Sequence, residues 1–216
     1  MKKLTKIIAL IMCIALAGIL FTACNNNEQQ DSDTNQSNTQ SQTNSNTQSV
    51  SLDEKTKNKV TIEIVMESGE VIEAEVYPDL APKTVENFLK LVDEDFYAGL
   101  IFHRVIPGFM IQGGGMDAEM NEKTADSIYG EFESNGFENP LKHERGVLSM
   151  ARTMAPDSAS SQFFIMVDTA DWLDGEYAAF GKVTSGMDTV DSIVNLERDE
   201  NDCPLDPPVI KTIRRK

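Results

Sequence analysis

Residues 102–114 constrain the fold of this chain more than any other stretch. They contain two short β-forming runs separated by Pro107-Gly108, which is typical of two strands joined by a tight turn. Side chains alternate between the faces of a strand. The residues expected to share a face are Phe102, Arg104 and Ile106 in the first run, and Met110 and Gln112 in the second. A cation and an amide thus lie close to the bulky side chains of Phe109 and Met110. The alternative is an apolar core beside a solvated arginine.

The chain from residue 60 onwards continues the β pattern. The further predicted strands are Val60–Met66, Val71–Tyr77, Gly146–Arg152, Gln162–Val167, Tyr177–Val183 and Val209–Ile213. Two stretches have helical periodicity instead, Thr84–Asp93, preceded by Pro82 at a favourable helix start, and Met187–Leu196. This pattern predicts a mainly β fold, a closed antiparallel barrel of eight strands with two covering helices, because closure leaves no exposed strand edge.

The N-terminus has the layout of a secretory signal. Residues 1–6 are basic, residues 7–21 are apolar, and small residues precede Cys24. The segment Phe21-Thr22-Ala23-Cys24 resembles a bacterial lipobox, which implies a lipoprotein signal peptide over residues 1–23 and acylation of Cys24, for instance with palmitate. An uncleaved anchor or a simple secretory signal are the alternatives. We therefore expect a lipid-anchored protein on the extracytoplasmic face of the cell membrane.

Residues 24–57 are predicted to be a disordered tether. The stretch 25–49 consists of Asn, Gln, Ser and Thr with a few acidic residues, so it has no apolar surface to bury against its ordering entropy. Aggregation through β pairing is the alternative for such a composition. The predicted folded domain is then residues 58–216.

Charge and cysteine content exclude several classes of function. The formal net charge is −16, which disfavours nucleic-acid binding because phosphate backbones are repelled. The three cysteines, Cys13, Cys24 and Cys203, form no CxxC or Cys/His pattern, so we predict no metal site and no cofactor. Cys203 is expected to be a buried or tolerated thiol.

The usual residues of hydrolases are missing from the sequence. There is no GxSxG motif, and the two histidines stand in unpromising places. His103 should alternate away from Arg104 and be a hydrogen-bonded core residue, whereas His143, in the charged stretch 142–145, should lie at the surface.

Five blocks together resemble the cyclophilins, the barrel-type peptidyl-prolyl isomerases. They are FHRVIPGFMIQGGG, GVLSMAR, SSQFFIMV, WLDGEYAAFGKV and GMDTVDSI, in cyclophilin order and spacing. The resemblance runs from about residue 60 to about residue 213, which is essentially the whole predicted domain. Two departures affect expected substrate preference and cyclosporin affinity more than isomerisation. Tyr177 stands where many members have His, and Arg152-Thr153 stands where others have a smaller polar pair.

The resemblance implies a role for each candidate site residue. Arg104 would donate to the prolyl nitrogen, and Gln162 and Gln112 would position the substrate carbonyl and Arg104 respectively. The proline ring would be held by Phe109, Met110, Phe164 and Leu173. The other substrate-binding positions are Ala151, which would pair with the substrate backbone, Arg152, Tyr177 and Trp172. Trp172 matches a rim tryptophan that favours cyclosporin in the family, and a half-buried packing residue is its alternative.

The function expected from these residues is peptidyl-prolyl cis-trans isomerisation of exported polypeptides that contain proline, which would accelerate their folding. Rotation about an X–Pro bond requires neither a nucleophile nor a general base. One alternative is a chaperone module that binds Pro-containing segments without essential turnover. Another is a surface or solute-binding lipoprotein, which only the lipobox supports.

Overall fold

The computed structural model of the chain describes residues 51–216. The predicted signal peptide, Cys24 and most of the predicted tether lie outside the described residues. Within them, no helix is both long and apolar enough to cross a membrane.

The described chain is mainly β. Its strands are β1 (Val60–Met66), β2 (Val71–Val76), β3 (Leu100–Ile106), β4 (Met110–Asp117), β5 (Val147–Met150), β6 (Phe163–Met166), β7 (Ala179–Ser185) and β8 (Ile210–Arg215). Its α-helices are α1 (Leu52–Lys55), α2 (Pro82–Asp93) and α3 (Met187–Val194), and single 3-10 turns cover Glu133–Asn135 and Asp171–Leu173. The predicted eight strands are confirmed, and both predicted helices are present within three residues of their expected ends. Helix α1 was not predicted.

The strands form one antiparallel sheet that curls into a nearly closed barrel. The order is β3-β4-β6-β5-β7-β2-β1-β8, so β3 and β8 lie at the two edges. These edges meet at a seam, where Ile101 bridges Val209 and the backbone N–H of Phe102 donates to Pro208. The seam satisfies backbone groups that an open edge would expose, as the prediction of a closed barrel requires.

The barrel interior is a packed core rather than a binding site. Phe102, Phe163 and Phe180 are fully buried in it, and α2 adds Phe88, whose ring lies 5.7 Å from that of Phe163 at 87°. Edge-to-face packing of this kind is favourable for aromatic rings. The apolar residues of α2 recur at helical spacing, which places them on the face that covers the barrel.

The N-terminus of α2 is capped from a distant part of the chain. Ala81 at the N-cap has no side chain that could accept a hydrogen bond. Glu131, only 1% exposed, accepts instead from the backbone N–H groups of Lys83 (2.9 Å) and Thr84 (2.8 Å), and from the Thr84 hydroxyl (2.7 Å). A buried carboxylate at a helix N-terminus also interacts favourably with the helix dipole.

Alternation along β4 and β6 separates the main core from a second, smaller apolar cluster. Phe163 and Ile165 point into the main core, whereas Phe164 and Met166 join Met110 in the second cluster. Residue pairing reinforces this division, since Met110 is opposite Met166 and Gln112 is opposite Phe164. The second cluster supplies the floor of the candidate site.

The expected face shared by Phe102, Arg104 and Ile106 is wrong for Phe102. Phe102 lies in the main core and Ile106 packs against the second cluster, because the β3–β4 register shifts between Phe102 and Arg104. Such a bulge redirects the residues that follow it. His103, at this shift, is only half-buried, so the prediction that it belongs to the core is wrong as well.

Residues 51–57, which we expected to belong to the disordered tether, include α1. The Nζ of Lys55 donates to the backbone oxygen of Glu138 at 3.0 Å. Contacts with the folded domain therefore begin before residue 58.

Candidate active site

An open cavity of about 580 Å³ lies over the second apolar cluster. Its lining residues come from β3, β4, β6, the segment after β5 and the segment around the second 3-10 turn. They are Arg104, Phe109, Met110, Gln112, Ala151, Arg152, Phe164, Trp172, Leu173, Glu176 and Tyr177. Ten of these eleven residues were predicted from the sequence, and Glu176 was not.

Arg104 is oriented by a chain of two glutamines. Gln112 lies opposite Arg104 in the β3–β4 pair, and Arg104 Nη1 donates to Gln112 Oε1 at 3.5 Å, a long contact. Gln112 Nε2 donates in turn to Gln162 Oε1 at 2.9 Å. Gln162, which does not itself line the cavity, is thereby joined to Arg104. No carboxylate pairs with Arg104 among the described residues, so its guanidinium keeps donors for a ligand.

The space for Gln162 is created by a glycine. A Cβ built on Gly115 would lie 2.6 Å from Gln162 Nε2 and closer still to its Cγ. Gly115 belongs to a run of three glycines, residues 113–115. In this fold it leaves room for the amide that connects to Gln112.

The apolar side of the cavity is buried at its floor and exposed at its rim. Met110, Phe164 and Leu173 are almost fully buried. Trp172 is 67% exposed and lies 5.8 Å from the ring of Phe109, so the alternative of a half-buried packing tryptophan is wrong. An apolar cup with an aromatic rim suits a small ring carried on an extended chain.

Arg152 is held between two aromatic rings. Its guanidinium lies 4.9 Å from the centre of Phe132 and 4.5 Å from that of Tyr177. Its Nε donates to the backbone oxygen of Glu176 at 2.9 Å, and its Nη2 lies 3.6 Å from the Glu176 carboxylate. These contacts fix one wall of the cavity through stacking and hydrogen bonds.

His143 is the largest correction to the expectations from sequence. It is 1% exposed, not at the surface, and its ring lies directly behind Phe164. Burial lowers the pKa of His143 despite the opposing hydrogen bond and charge of Asp174, so the imidazole is neutral near pH 7. Burial raises the pKa of Asp174, but hydrogen bonds from the backbone and ring of His143 outweigh it and leave that pKa lowered.

No group of three or more His, Cys, Asp or Glu side chains that could hold a metal ion occurs within the described residues. Cys203 is half-buried, and burial raises the pKa of its thiol. Cys203 does not line the cavity. The polar groups that do line it are the side chains of Arg104, Arg152, Gln112 and Tyr177 and the carboxylate of Glu176.

Comparisons with known proteins agree with this geometry. A family model described as cyclophilin type peptidyl-prolyl cis-trans isomerase/CLD matches residues 59–215. The chain is 50% identical over 130 residues to a peptidyl-prolyl cis-trans isomerase of Acinetobacter baylyi, covering 58% of this chain and 67% of that protein. It is 42% identical over 158 residues to peptidyl-prolyl cis-trans isomerase B of Escherichia coli, covering 67% and 93% respectively.

Solved structures show the same fold. A cyclophilin type peptidyl-prolyl cis-trans isomerase of Cryptosporidium parvum aligns with a TM-score of 0.63 at 30% identity, covering 74% of this chain and 98% of that chain. A structure of the same protein in the presence of the dipeptide Ala-Pro aligns with a TM-score of 0.61 at 31% identity, covering 72% and 98%. Since the family match spans every strand of the barrel, the chain belongs to the cyclophilin-type peptidyl-prolyl cis-trans isomerases.

Proposed function

We propose that this isomerase rotates X–Pro bonds in exported polypeptides, from a lipid anchor on the extracytoplasmic face of the membrane, and that Arg104 is its catalytic donor. The observation that carries the proposal is an arginine without a carboxylate partner in the described chain, aligned by Gln112 beside an apolar cup. An arginine that only bound an acidic group or stabilised the fold would not require this arrangement.

The transition-state stabilisation needed for this reaction is small. Amide resonance sets a barrier of about 18–20 kcal/mol, and unaided rotation takes tens to hundreds of seconds. An increase of about 10³-fold in rate requires about 4 kcal/mol of transition-state stabilisation. One preorganised donor in a site shielded from water supplies about 3–4 kcal/mol. A single correctly placed guanidinium is therefore sufficient in magnitude.

The donor acts on the nitrogen of the rotating bond. When the amide twists, resonance is lost and the prolyl nitrogen becomes pyramidal with a lone pair. Arg104 donates a hydrogen bond to that lone pair and stays protonated throughout, because a guanidinium does not lose its proton in a protein. The interaction exists only in the twisted state, so it raises kcat rather than tightening ground-state binding.

The apolar cup fixes the ring while the preceding residue rotates. Met110, Phe164 and Leu173 present buried side chains to the cavity, and Phe109 closes its edge. Contact with these side chains removes the apolar surface of a proline ring from water, at about 25 cal/mol per Å². A ring held in this way is the fixed reference against which the X residue turns.

Peptides that contain proline are the proposed ligands, and the related structure in the presence of Ala-Pro supports them. The cavity of about 580 Å³ exceeds the size of a proline ring, which leaves room for flanking residues along Ala151 and Arg152. The exposed indole of Trp172 supports cyclosporin as a competing ligand. A competition titration in the isomerase assay tests that ligand directly.

Replacement of Arg104 tests the catalytic role. We expect Arg104→Ala to lose at least about 2–3 kcal/mol of transition-state stabilisation, roughly 30- to 150-fold in kcat/KM, measured by exchange NMR on an Ala-Pro peptide. The fold should persist, because the Arg104 side chain makes one long hydrogen bond and no ion pair within residues 51–216. Arg104→Lys keeps the charge without the planar fork and should recover only part of the loss.

Arg214→Ala is the matched control, since Arg214 lies on β8, pairs with Glu63 on β1 and does not line the cavity. It should leave kcat/KM unchanged. An Arg104→Ala protein as fast as wild type would remove Arg104 from the mechanism. If that variant lost isomerisation yet still protected an unfolded client from aggregation, binding without turnover would carry the function instead.

A further inference from the structure

His143 lies at the centre of a hydrogen-bond network behind the cavity. Its Nδ1 lies 3.0 Å from Asp174 Oδ1, and its Nε2 lies 3.0 Å from the hydroxyl of Ser149 on β5. A neutral imidazole satisfies both contacts if Nδ1–H donates to the carboxylate and Nε2 accepts from the hydroxyl. Each ring nitrogen therefore has a partner although the residue is fully buried.

The backbone of His143 binds the same neighbouring segment. Its N–H donates to Asp174 Oδ1 at 2.8 Å, and its carbonyl accepts from the N–H of Ala170 at 2.9 Å. Residues 170–174 contain Trp172 and Leu173, two lining residues of the cavity. Side chain and backbone of His143 together fasten this wall to the barrel.

The imidazole also supports two further lining residues. Its ring is stacked on Phe164 at 6.1 Å and 20°, and it meets Tyr177 edge-on at 6.5 Å and 81°. Phe164 and Tyr177 contact each other at 6.0 Å and 80°. One buried side chain thus contacts or fastens the walls formed by Phe164, Leu173 and Tyr177.

The order Ser149, His143 and Asp174 is that of a hydrolytic triad, yet hydrolysis is not a plausible use of it. Ser149 is 0% exposed, so its hydroxyl cannot reach a substrate in the cavity. A triad requires an accessible nucleophile beside an oxyanion site. The network therefore acts on the cavity through packing and hydrogen bonds, not through bond cleavage.

We propose that His143 is a positioning residue that sets the shape of the proline cup by fastening residues 170–174 and supporting the rings of Phe164 and Tyr177. This inference rests on the proposed function, because it assumes that the cup binds the proline ring. Binding of the ring depends on the spacing of the walls, whereas donation from Arg104 depends on Gln112. Loss of His143 should therefore weaken substrate binding more than it slows the bound step.

The experiment measures Kd, KM and kcat for an Ala-Pro peptide by exchange NMR on the full chain. His143→Leu removes both ring hydrogen bonds and leaves Asp174 without its imidazole partner, so we expect Kd and KM to rise about five- to tenfold while kcat stays within about twofold. His143→Asn places an amide donor near the position of Nδ1 and should recover most of the binding.

A merely structural role gives a different result. Partial unfolding lowers the active fraction, so apparent kcat falls while KM stays unchanged. An unchanged KM and Kd in His143→Leu, once kcat has been corrected for the folded fraction, overturns the proposal. If His143→Leu does not fold, Asp174→Ala tests the same link from the partly exposed end and must raise KM for the proposal to stand. Lys142→Ala is the control, since Lys142 also contacts Asp174, at 3.4 Å, but is largely exposed.

Arg104→Ala in the same assay separates this proposal from the catalytic one. If Arg104→Ala loses kcat and His143→Leu leaves KM unchanged, the positioning role is contradicted and the catalytic role of Arg104 stands. If Arg104→Ala leaves kcat unchanged and His143→Leu raises KM, the catalytic role of Arg104 is contradicted and the positioning role stands.

Discussion

At the residue scale, Gly115 is the position where a single methyl group should have the clearest effect on activity. Its added Cβ would overlap Gln162, whose amide is linked through Gln112 to Arg104. We expect Gly115→Ala to displace the Gln162 side chain and lower kcat/KM about tenfold, while the midpoint of urea unfolding changes little because a flexible side chain can move aside.

A double-mutant cycle identifies the route of that effect. If Gly115→Ala acts through the amide, its effect on kcat/KM in the Gln162→Ala background should largely vanish. Additive losses would contradict the proposed link, and would indicate that Gly115 disturbs the cavity in another way.

The sequence predicted which residues line the cavity where their position depends on the alternation of side chains along a strand. Gln112, Gln162 and Phe164 follow from strand parity and the family resemblance. His143 could not be predicted in this way, because its charged neighbours suggest a surface position and its partner Asp174 is 31 residues away. Gly115 was also missed, since the space it leaves is filled by the side chain of Gln162, which is distant in sequence and immediately precedes β6.

At the element scale, the buried cap of α2 should contribute measurably to stability. Glu131 accepts three hydrogen bonds at the start of the helix, and Ala81 offers no substitute. We expect Glu131→Ala to lower the free energy of unfolding by about 2 kcal/mol, because it leaves buried donors unpaired. Glu131→Gln should lose part of this amount. Urea denaturation measures both changes.

Glu86→Gln is a suitable control for the cap. Glu86 lies on the same helix, but its side chain is exposed and its one ion pair within the described residues is with Lys83, so the effect on the free energy of unfolding should stay within about 0.5 kcal/mol. A Glu131→Ala protein as stable as this control would show that water or a neighbouring group replaces the cap.

The elements themselves were the most predictable part of the structure. Helix α2 begins at Pro82 as expected, since proline suits the first helical turn, and the strands follow the alternating pattern. The bulge between Phe102 and Arg104 was not predictable from alternation, because a register shift breaks the period on which that prediction depends. The cap was missed because Glu131 is far from α2 in sequence.

At the scale of the whole molecule, the fold separates stability from catalysis. The interior of the barrel is filled by the main core, and the cavity lies over the opposite face of β4 and β6. Because side chains alternate along these strands, Phe163 packs in the main core, whereas its neighbour Phe164 lines the cavity. Because Trp172 is exposed at the rim, we expect a change there to leave the packed interior undisturbed.

We propose that the position of the molecule in the cell depends on Cys24, which lies outside the described residues. Two or more acyl chains anchor a protein stably, since each buried methylene contributes about 0.8 kcal/mol. We expect the wild-type chain to sediment with membranes and to have the mass of a polypeptide that begins at an acylated Cys24. Cys24→Ala should move it to the soluble or secreted fraction with kcat/KM unchanged, because the cavity is built from residues 104–177. Cys203→Ala should stay with the membrane, and a wild-type protein without added acyl mass would contradict the anchor.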